Sequence, residues 1–438
     1  MGKGTYLTIP RCYDSHVHWL ATGEVLNLID LTSIRSIEEL RVRSFKIIPN
    51  RGDWILGFGW DQNLWRDKEN PSLEILDQLF PYNPVAFCRI DGHCLWVNTI
   101  ALDKARISNN RIPKVITGGR IELDEKGKLI GVFVDSAKEL IEVQIPQPTK
   151  IELKKFLLQG MDVFTNAGFT HIRDVGGSEL HWQLAAELEQ NSELKLFCEM
   201  FFNLDNYELL DQRILEIETS RKDKFKQLRV GGLKLFFDGA LGSEGAFLSQ
   251  PYSNGSNGLR LLELSKIEEI FHRCWERQIP IAIHTLGDEA VHQIVLVAIK
   301  LKEKGIEGIM NLEHCEVVRP ETISLMRSLN IRCHLQPSHF LSDRKWLKEK
   351  LKSLYKFSFP WRNLTEGGIP INFGSDSPIE FPSLLNSQKA LELANLEGIP
   401  YPPISPWAFH SHPDGSWGSK CFTRISPDGI ISSNFNKD

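Results

Sequence analysis

The stretch Arg11-Cys12-Tyr13-Asp14-Ser15-His16-Val17-His18 decides how the chain is read. Led by Leu7-Thr8-Ile9-Pro10, it has the form of a short buried strand ending in His-x-His. Side chains two apart on a strand point the same way. His16 and His18 therefore aim at one point at the strand's C-terminal end, as two imidazole ligands for one metal ion. The pattern alone is weak. With 13 histidines in 438 residues, His-x-His is expected about 0.4 times by chance, and a second copy, His410-Ser411-His412, is present. The first copy gains its meaning from the polar residues that end later strands of the chain.

The composition, 42% hydrophobic and 24% charged with a net charge of −5, is that of a soluble globular chain. It is long enough for a large barrel plus an added subdomain. A mildly acidic balance gives no support to nucleic-acid or membrane-surface binding. No apolar run approaches the roughly 18 residues of a membrane helix. Residues 1–6 hold no signal-peptide h-region, and Tyr6 stands where a myristoylation motif needs Ser or Thr. The eight cysteines are scattered without Cys-x-x-Cys, and Cys198, Cys315 and Cys333 sit in apolar runs. Buried free thiols in a reducing cytoplasm are expected.

After His18 comes a stretch that does not fit one barrel helix. Ser36 with Glu39 predicts a capping box. Trp54–Trp60 and Pro84–Ile90 read as strands, the second running into Asp91-Gly92-His93 and a short helix over Trp96–Leu102. Gly118–Glu122 and Leu129–Phe133 read as a hairpin. Residues 19–150 are therefore expected to form an inserted α+β subdomain over the barrel mouth.

From residue 151 helical segments alternate with short apolar strands: Thr170–Val175, Lys195–Met200, Gly232–Asp238, Pro280–His284, Met310–His314, Ile331–Gln336 and Pro370–Asp376. With the His16 strand these make eight, which predicts an α/β protein built on a (β/α)8 TIM-type barrel of parallel strands over 7–18 and 151–400. Leu264–Phe271 contains a Ser-x-x-Glu helix start at Ser265. Residues 401–438 read as an irregular tail with one closing hairpin near 420–431.

Lys234, His284, His314 and Asp376 each follow an apolar run near a strand's C-terminal end, the catalytic face of such a barrel. A lone histidine there is more often structural. Placed beside His-x-His, the set supplies ligands for one or two divalent ions with open positions. An ammonium beside two dications is strongly unfavourable. Lys234 therefore either pairs with Asp238 or Glu199, or is carboxylated on its amine and bridges two metals as an anion.

These residues resemble the amidohydrolase superfamily. Gly59–Trp65, Asp91-Gly92-His93, Lys234–Ser243, Ile283–Asp288 and Gln336-Pro337 resemble its amidohydrolase-3 branch, which includes N-substituted formamide deformylase. The similarity covers about residues 7–380. It implies a metal-dependent hydrolase of C–N bonds other than peptide bonds. It implies His16, His18 and Asp376 on one ion, His284 and His314 on the other, and a carboxylated Lys234 between them, with zinc the foremost metal. Members carry a small β-sandwich beside the barrel, which here is expected to be reduced or absent. Asp376 is expected to act as general base and then acid, and Asp91, His93 and Gln336 to contact the substrate. The expected partner is a small molecule, with no nucleic acid or membrane and with homo-oligomerisation open. The rival readings are an ester, lactone or phosphoester hydrolase on the same centre, and a catalytically silent metal-stabilised binding protein.

Overall fold

The structure, a computed structural model, describes residues 6–43, 49–66, 70–113, 116, 118–426 and 428–435. Residues 1–5, on which the reading of the N-terminus rests, lie outside them. Eight parallel strands form the central sheet: β1 (Tyr13–Val17), β2 (His171–Gly177), β3 (Phe197–Asn203), β4 (Leu228–Phe236), β5 (Ile281–Thr285), β6 (Met310–His314), β7 (Ile331–Leu335) and β8 (Ile371–Phe373). They lie in sequence order, as right-handed strand–helix repeats require. The ring closes where the chain after β8 returns to β1: the Asp376 amide donates to the His16 carbonyl at 2.8 Å, and the His18 amide to the Ser377 carbonyl at 2.8 Å. The fold is the expected (β/α)8 barrel.

Every residue of β1, β5, β6 and β8 is buried, which explains why these strands read as apolar runs rather than alternations. Helices cover the outer face. Lys150–Asn166 opens with a Thr149/Glu152 capping box and lays Leu157, Met161 and Phe164 on the sheet. Helix Leu264–Trp275 has Glu263 at its N-cap position, without a side-chain capping bond, so Ser265 is inside the first turn and not its start.

Between β1 and β2 lies a six-stranded sheet, in the order Ile29–Asp30, Ile55–Trp60, Val85–Arg89, Cys94–Val97, Leu129–Asp135, Gly119–Leu123. The last two form the expected hairpin. Trp96 lies in a strand rather than in the expected helix, because Asn98 caps the helix that begins only at Thr99. Ser36 accepts from the Glu39 amide at 3.0 Å, but the Glu39 carboxylate reaches back to the Arg35 amide at 2.6 Å, one residue beyond a capping box.

The two ends of the chain meet. Leu7–Pro10 is not the start of β1: Arg11, with φ 46°, breaks the strand, and Leu7–Pro10 pairs antiparallel with Phe422–Ile425, which pairs with Ile431–Asn434. The expected hairpin of the tail thus completes a three-stranded antiparallel sheet.

His18 is fixed by an unusually close helix crossing. Helix Trp19–Val25 follows it directly and lies backbone to backbone on Lys150–Asn166. A Cβ on Gly23 would stand 1.7 Å from the Phe156 carbonyl oxygen, and one on Gly160 2.6 Å from the Trp19 oxygen. Trp19 Nε1 donates to the Leu157 carbonyl at 2.8 Å. Gly23→Val is expected to force these helices apart and to cost about 1–3 kcal/mol or more. A thermal melt should register it as a lower Tm, while Gly415→Ala, where a Cβ meets open space, leaves Tm unchanged.

Candidate metal centre

The site is built outward from a buried carboxylate. Glu313, on β6 and fully enclosed, accepts from His16 Nδ1 at 2.6 Å and pairs with Arg173 Nη2 of β2 at 2.9 Å. Burial opposes ionisation of Glu313, but Arg173 and the adjacent imidazoles hold its carboxyl well below the usual range. A carboxylate on Nδ1 fixes the His16 tautomer with the lone pair on Nε2, the arrangement of metal-binding histidines. His16 Nε2 then lies 3.2 Å from Asp376 Oδ1, and His18 Nε2 lies 3.2 Å from the same oxygen.

Among the described residues neither His16 Nε2 nor Asp376 Oδ1 has a hydrogen-bond partner, although both are buried. Nitrogen and oxygen ligands 2.0–2.2 Å from a shared tetrahedral ion stand roughly 3.3–3.6 Å apart. The donor set therefore fits a divalent cation, which would satisfy atoms that are otherwise orphaned. The other Asp376 oxygen, Oδ2, faces His339 Nε2 at 3.6 Å and His314 Nδ1 at 3.9 Å. Among the described residues two compact groups of His and carboxylate atoms could hold an ion: His16, His18, Asp376 and His314, His339, Asp376.

His284 belongs to neither group. Its ring lies 4.4 Å from that of His314 between centroids, and its Nε2 is 3.4 Å from the Gly239 carbonyl. Burial and then the neighbouring imidazoles push both His284 and His314 well below the ordinary imidazole value, so they keep a lone pair to offer. Lys234 is fully buried and its Nζ has no hydrogen-bond partner among the described residues. It pairs with neither Asp238 nor Glu199, the first of the two alternatives the sequence left open. Asp238 instead accepts from the backbone amides of Phe247, Leu286 and Gly287. Burial pushes the Lys234 amine down to about 8, against the pull of Glu313 and Asp376.

A cavity of about 630 Å³ opens from the site, between the barrel mouth and the six-stranded sheet. His18, His284, His314 and Asp376 form its barrel wall; Phe58, Asp91 and His93 line the other. The Asp91 carboxylate accepts from the His93 amide at 3.0 Å and is ion-paired to buried Arg89, which also holds Asp61. The His93 ring is oriented by Asp135 at 2.6 Å and lies 5.3 Å from the His284 ring. Gln336 sits behind the metal-side histidines: its Oε1 is 2.9 Å from His314 Nδ1 and its amide donates to the His334 carbonyl at 3.1 Å. It reaches the cavity only through the His314 ring.

The second His-x-His is elsewhere. His412 packs 4.7 Å from Tyr13 and 5.3 Å from His171 between ring centroids, at the start of β1 and β2, the end of the barrel away from Asp376. Burial pushes His410 and His412 down to about 4. Among the described residues neither belongs to a compact donor group, and both are buried against aromatic neighbours.

Sequence reasoning passed over Glu313, Arg173, His339 and Asp135. Glu313 directly precedes a chosen histidine, and His339 closes Gln336-Pro337-Ser338-His339; both carried a local signal. Among the described residues no disulfide joins two cysteines, and the cysteines other than Cys88 are buried. No helix among the described residues is long and apolar enough to cross a membrane.

The chain is similar to known proteins in sequence and in fold. The putative amidohydrolase YtcJ of Bacillus subtilis (strain 168) is 29% identical over 394 residues, spanning 87% of this chain and 72% of that protein. N-substituted formamide deformylase of Arthrobacter pascens is 23% identical over 396 residues, 84% of this chain and 70% of that one. A solved structure of an uncharacterized metal-dependent hydrolase from Pyrococcus furiosus aligns with a TM-score of 0.65 at 26% identity, covering 88% of this chain and 77% of that one. The sequence model of the amidohydrolase family matches residues 7–387, from the strand before β1 to beyond the Asp376 loop, and the chain belongs to that family.

Proposed function

We propose that this metal-dependent hydrolase cleaves non-peptide carbon–nitrogen bonds in small N-acyl or N-formyl amines, with Asp376 as general base and acid. The observation that carries the reading is the placement of Asp376: one oxygen faces His16 and His18, the other faces His314 and His339, and the carboxylate lines the cavity. The residues expected to hold metal are His16, His18 and Asp376 for one ion, and His284 and His314, with Lys234 between, for a second; zinc is the foremost candidate. A bound divalent ion supplies Lewis acidity toward a carbonyl and a lowered pKa for water. Asp376, kept ionised by the surrounding imidazoles despite its burial, takes the attacking water's proton and returns it to the leaving nitrogen. His93, held by Asp135, and Asp91, held by Arg89, face the substrate from the opposite wall. The buried free thiols favour the reducing cytoplasm as its location.

The cavity supports an apolar substrate without a carboxylate. Its walls are largely aliphatic and aromatic, including Leu56, Leu95, Leu204 and Phe236. Lys138 is the one Lys or Arg among the described lining residues, and its amine is committed to the Gly92 carbonyl at 2.6 Å and to Glu142 at 3.6 Å. Glu24, Glu139, Glu142 and Asp205 add negative charge. An N-acyl amine should therefore exceed an N-acyl amino acid of similar size in kcat/KM by about tenfold or more, the equivalent of 1.4 kcal/mol. Equal rates, or turnover of esters with none of amides, would contradict this substrate class.

Asp376→Asn keeps the shape and a weak oxygen ligand but cannot accept a proton. It should retain metal and fold while kcat falls about 10²–10⁴-fold. His16→Ala should lose metal along with activity. Metal content and kcat measured together on both variants check this, and near-normal turnover in metal-loaded Asp376→Asn would assign the base elsewhere.

Carboxylation of Lys234 requires its neutral amine to add to CO₂ and release one proton, giving an anion in place of the orphaned amine. Lys234→Ala should lose activity and regain part of it with small carboxylic acids such as formate or propionate. Mass spectrometry or diffraction that finds an unmodified amine between two bound ions would contradict it.

A further inference from the structure

We infer that His171, His410 and His412 form an acid-sensitive fastening between the C-terminal tail and the base of the barrel, so that falling pH detaches residues 406–425 while the end that carries Asp376 stays shut. His171 begins β2, and the other two lie on the tail where it crosses the same end of the barrel. All three are enclosed, at 0%, 2% and 5% exposure. Direct bonds hold the tail to the barrel floor: the His412 amide donates to the Arg11 carbonyl at 3.1 Å, Asn372 Nδ2 to the Phe409 carbonyl at 3.1 Å, and Trp417 Nε1 to the Lys226 carbonyl at 2.9 Å. The imidazoles fill the seam around these bonds. His410 packs against Phe169 and Phe373, 5.9 and 5.7 Å away between ring centroids. His171 stacks on Phe197 at 4.6 Å, and Trp417 meets His171 at 5.4 Å and His412 at 5.1 Å.

The seam is built for neutral rings. His171 Nε2 lies 3.1 Å from the Trp417 carbonyl and its Nδ1 2.9 Å from Thr170 Oγ1. His412 Nδ1 accepts the Asp414 amide at 3.1 Å. His410 Nδ1 is 3.4 Å from the Tyr13 carbonyl, and its Nε2 is buried with no partner among the described residues. The charges nearby oppose protonation: Arg11 and Arg229 repel a second proton on both His171 and His412. Asp414 favours one on His412, but its carboxylate is already taken by Arg229 at 2.5 Å and by Ser416. Tyr13, 4.7 Å from His412, is kept protonated by burial. Burial first, and then the cations where they are near, push His171 down to about 3 and His410 and His412 down to about 4, from an ordinary 6.5. The docked tail thus excludes protons that a detached tail takes up. The fastening is at full strength above pH 6.5 and weakens as pH falls from 6.5 toward 4. Each ring then favours detachment by about tenfold per pH unit, and the three together by about 10⁴-fold between pH 7 and 5.

The test is hydrogen exchange of the full chain, read by mass spectrometry at neutral and mildly acidic pH and corrected for the intrinsic rate at each. Peptides from residues 406–425, and from Leu7–Pro10, which pairs with them, should lose protection by up to about 10⁴-fold between pH 7 and 5. Helix Asp288–Glu303, on the barrel's outer face, should keep its protection. His410→Phe retains a ring against Phe169 and Phe373 but cannot take a proton. It should hold the tail at neutral pH and lose about twentyfold of the acid response. Protection of 406–425 that does not change with pH would overturn the inference. So would protection that falls together with that of Asp288–Glu303, as in unfolding of the whole chain, or an acid response in His410→Phe equal to the wild type's. Should the variant not fold, the wild-type profile decides alone.

Discussion

The site depends on one buried carboxylate. Glu313 has no contact with solvent, and what keeps it charged there is Arg173, itself almost fully enclosed between Glu313 and the face of Phe201, whose centroid is 4.1 Å away. Removing one partner of such a pair leaves an uncompensated charge in the interior and costs about 3–5 kcal/mol. The pair does more than resist that cost. By taking the proton side of His16 it leaves the other nitrogen as a donor aimed across the barrel. The same His16 backbone carbonyl accepts the Asp376 amide and closes the ring of strands. Barrel closure and assembly of the donor set are thus a single event, made by residues on β1, β2, β6 and the turn after β8.

The backbone around the donors is held in conformations that ordinary residues avoid. His314, Cys315 and Asp376 have φ of 71°, 46° and 62°. A non-glycine residue there costs of order 1–3 kcal/mol and persists where packing over-determines it. These three residues lie at the C-terminal end of β6 and in the turn after β8, the positions from which the His314 ring and the Asp376 carboxylate reach the cavity. Asp14 secures the turn after β8 by accepting the Ser375 amide at 2.8 Å. The strain falls on residues whose side chains meet at one point, which agrees with a site whose geometry is built to hold something between them.

Much of this was legible in the sequence. The eight strands could be found because a parallel barrel buries both faces, so each strand becomes a short apolar run, and because polar residues break those runs at one end only. That rule singled out His16, His18, Lys234, His284, His314 and Asp376, and the structure places His18, His284, His314 and Asp376 on one cavity wall with His16 beside Asp376. The residues behind them escaped it. Glu313 and Arg173 occupy strand interiors, where a charged residue is neither a strand-end marker nor a ligand pattern, and only the ring of eight strands brings them together. His339 was missed because it follows β7 after a Pro-Ser turn, and the helical turn it begins is what carries it back toward Asp376. Asp135 ends a hairpin whose register alone sets it against His93. The split between Leu7–Pro10 and β1 depends on the positive φ at Arg11, which no periodicity announces.

A metal ion beside Asp376 is what the chemistry of this site requires. The most direct measurement is diffraction from zinc-loaded crystals at wavelengths on either side of the zinc absorption edge. The expected result is an anomalous peak about 2.0–2.2 Å from His16 Nε2, His18 Nε2 and an Asp376 oxygen, with the His16 Nδ1–Glu313 contact preserved. A map without a peak there in protein that has taken up zinc, or with His16 Nε2 joined to Asp376 by a direct hydrogen bond, would contradict it.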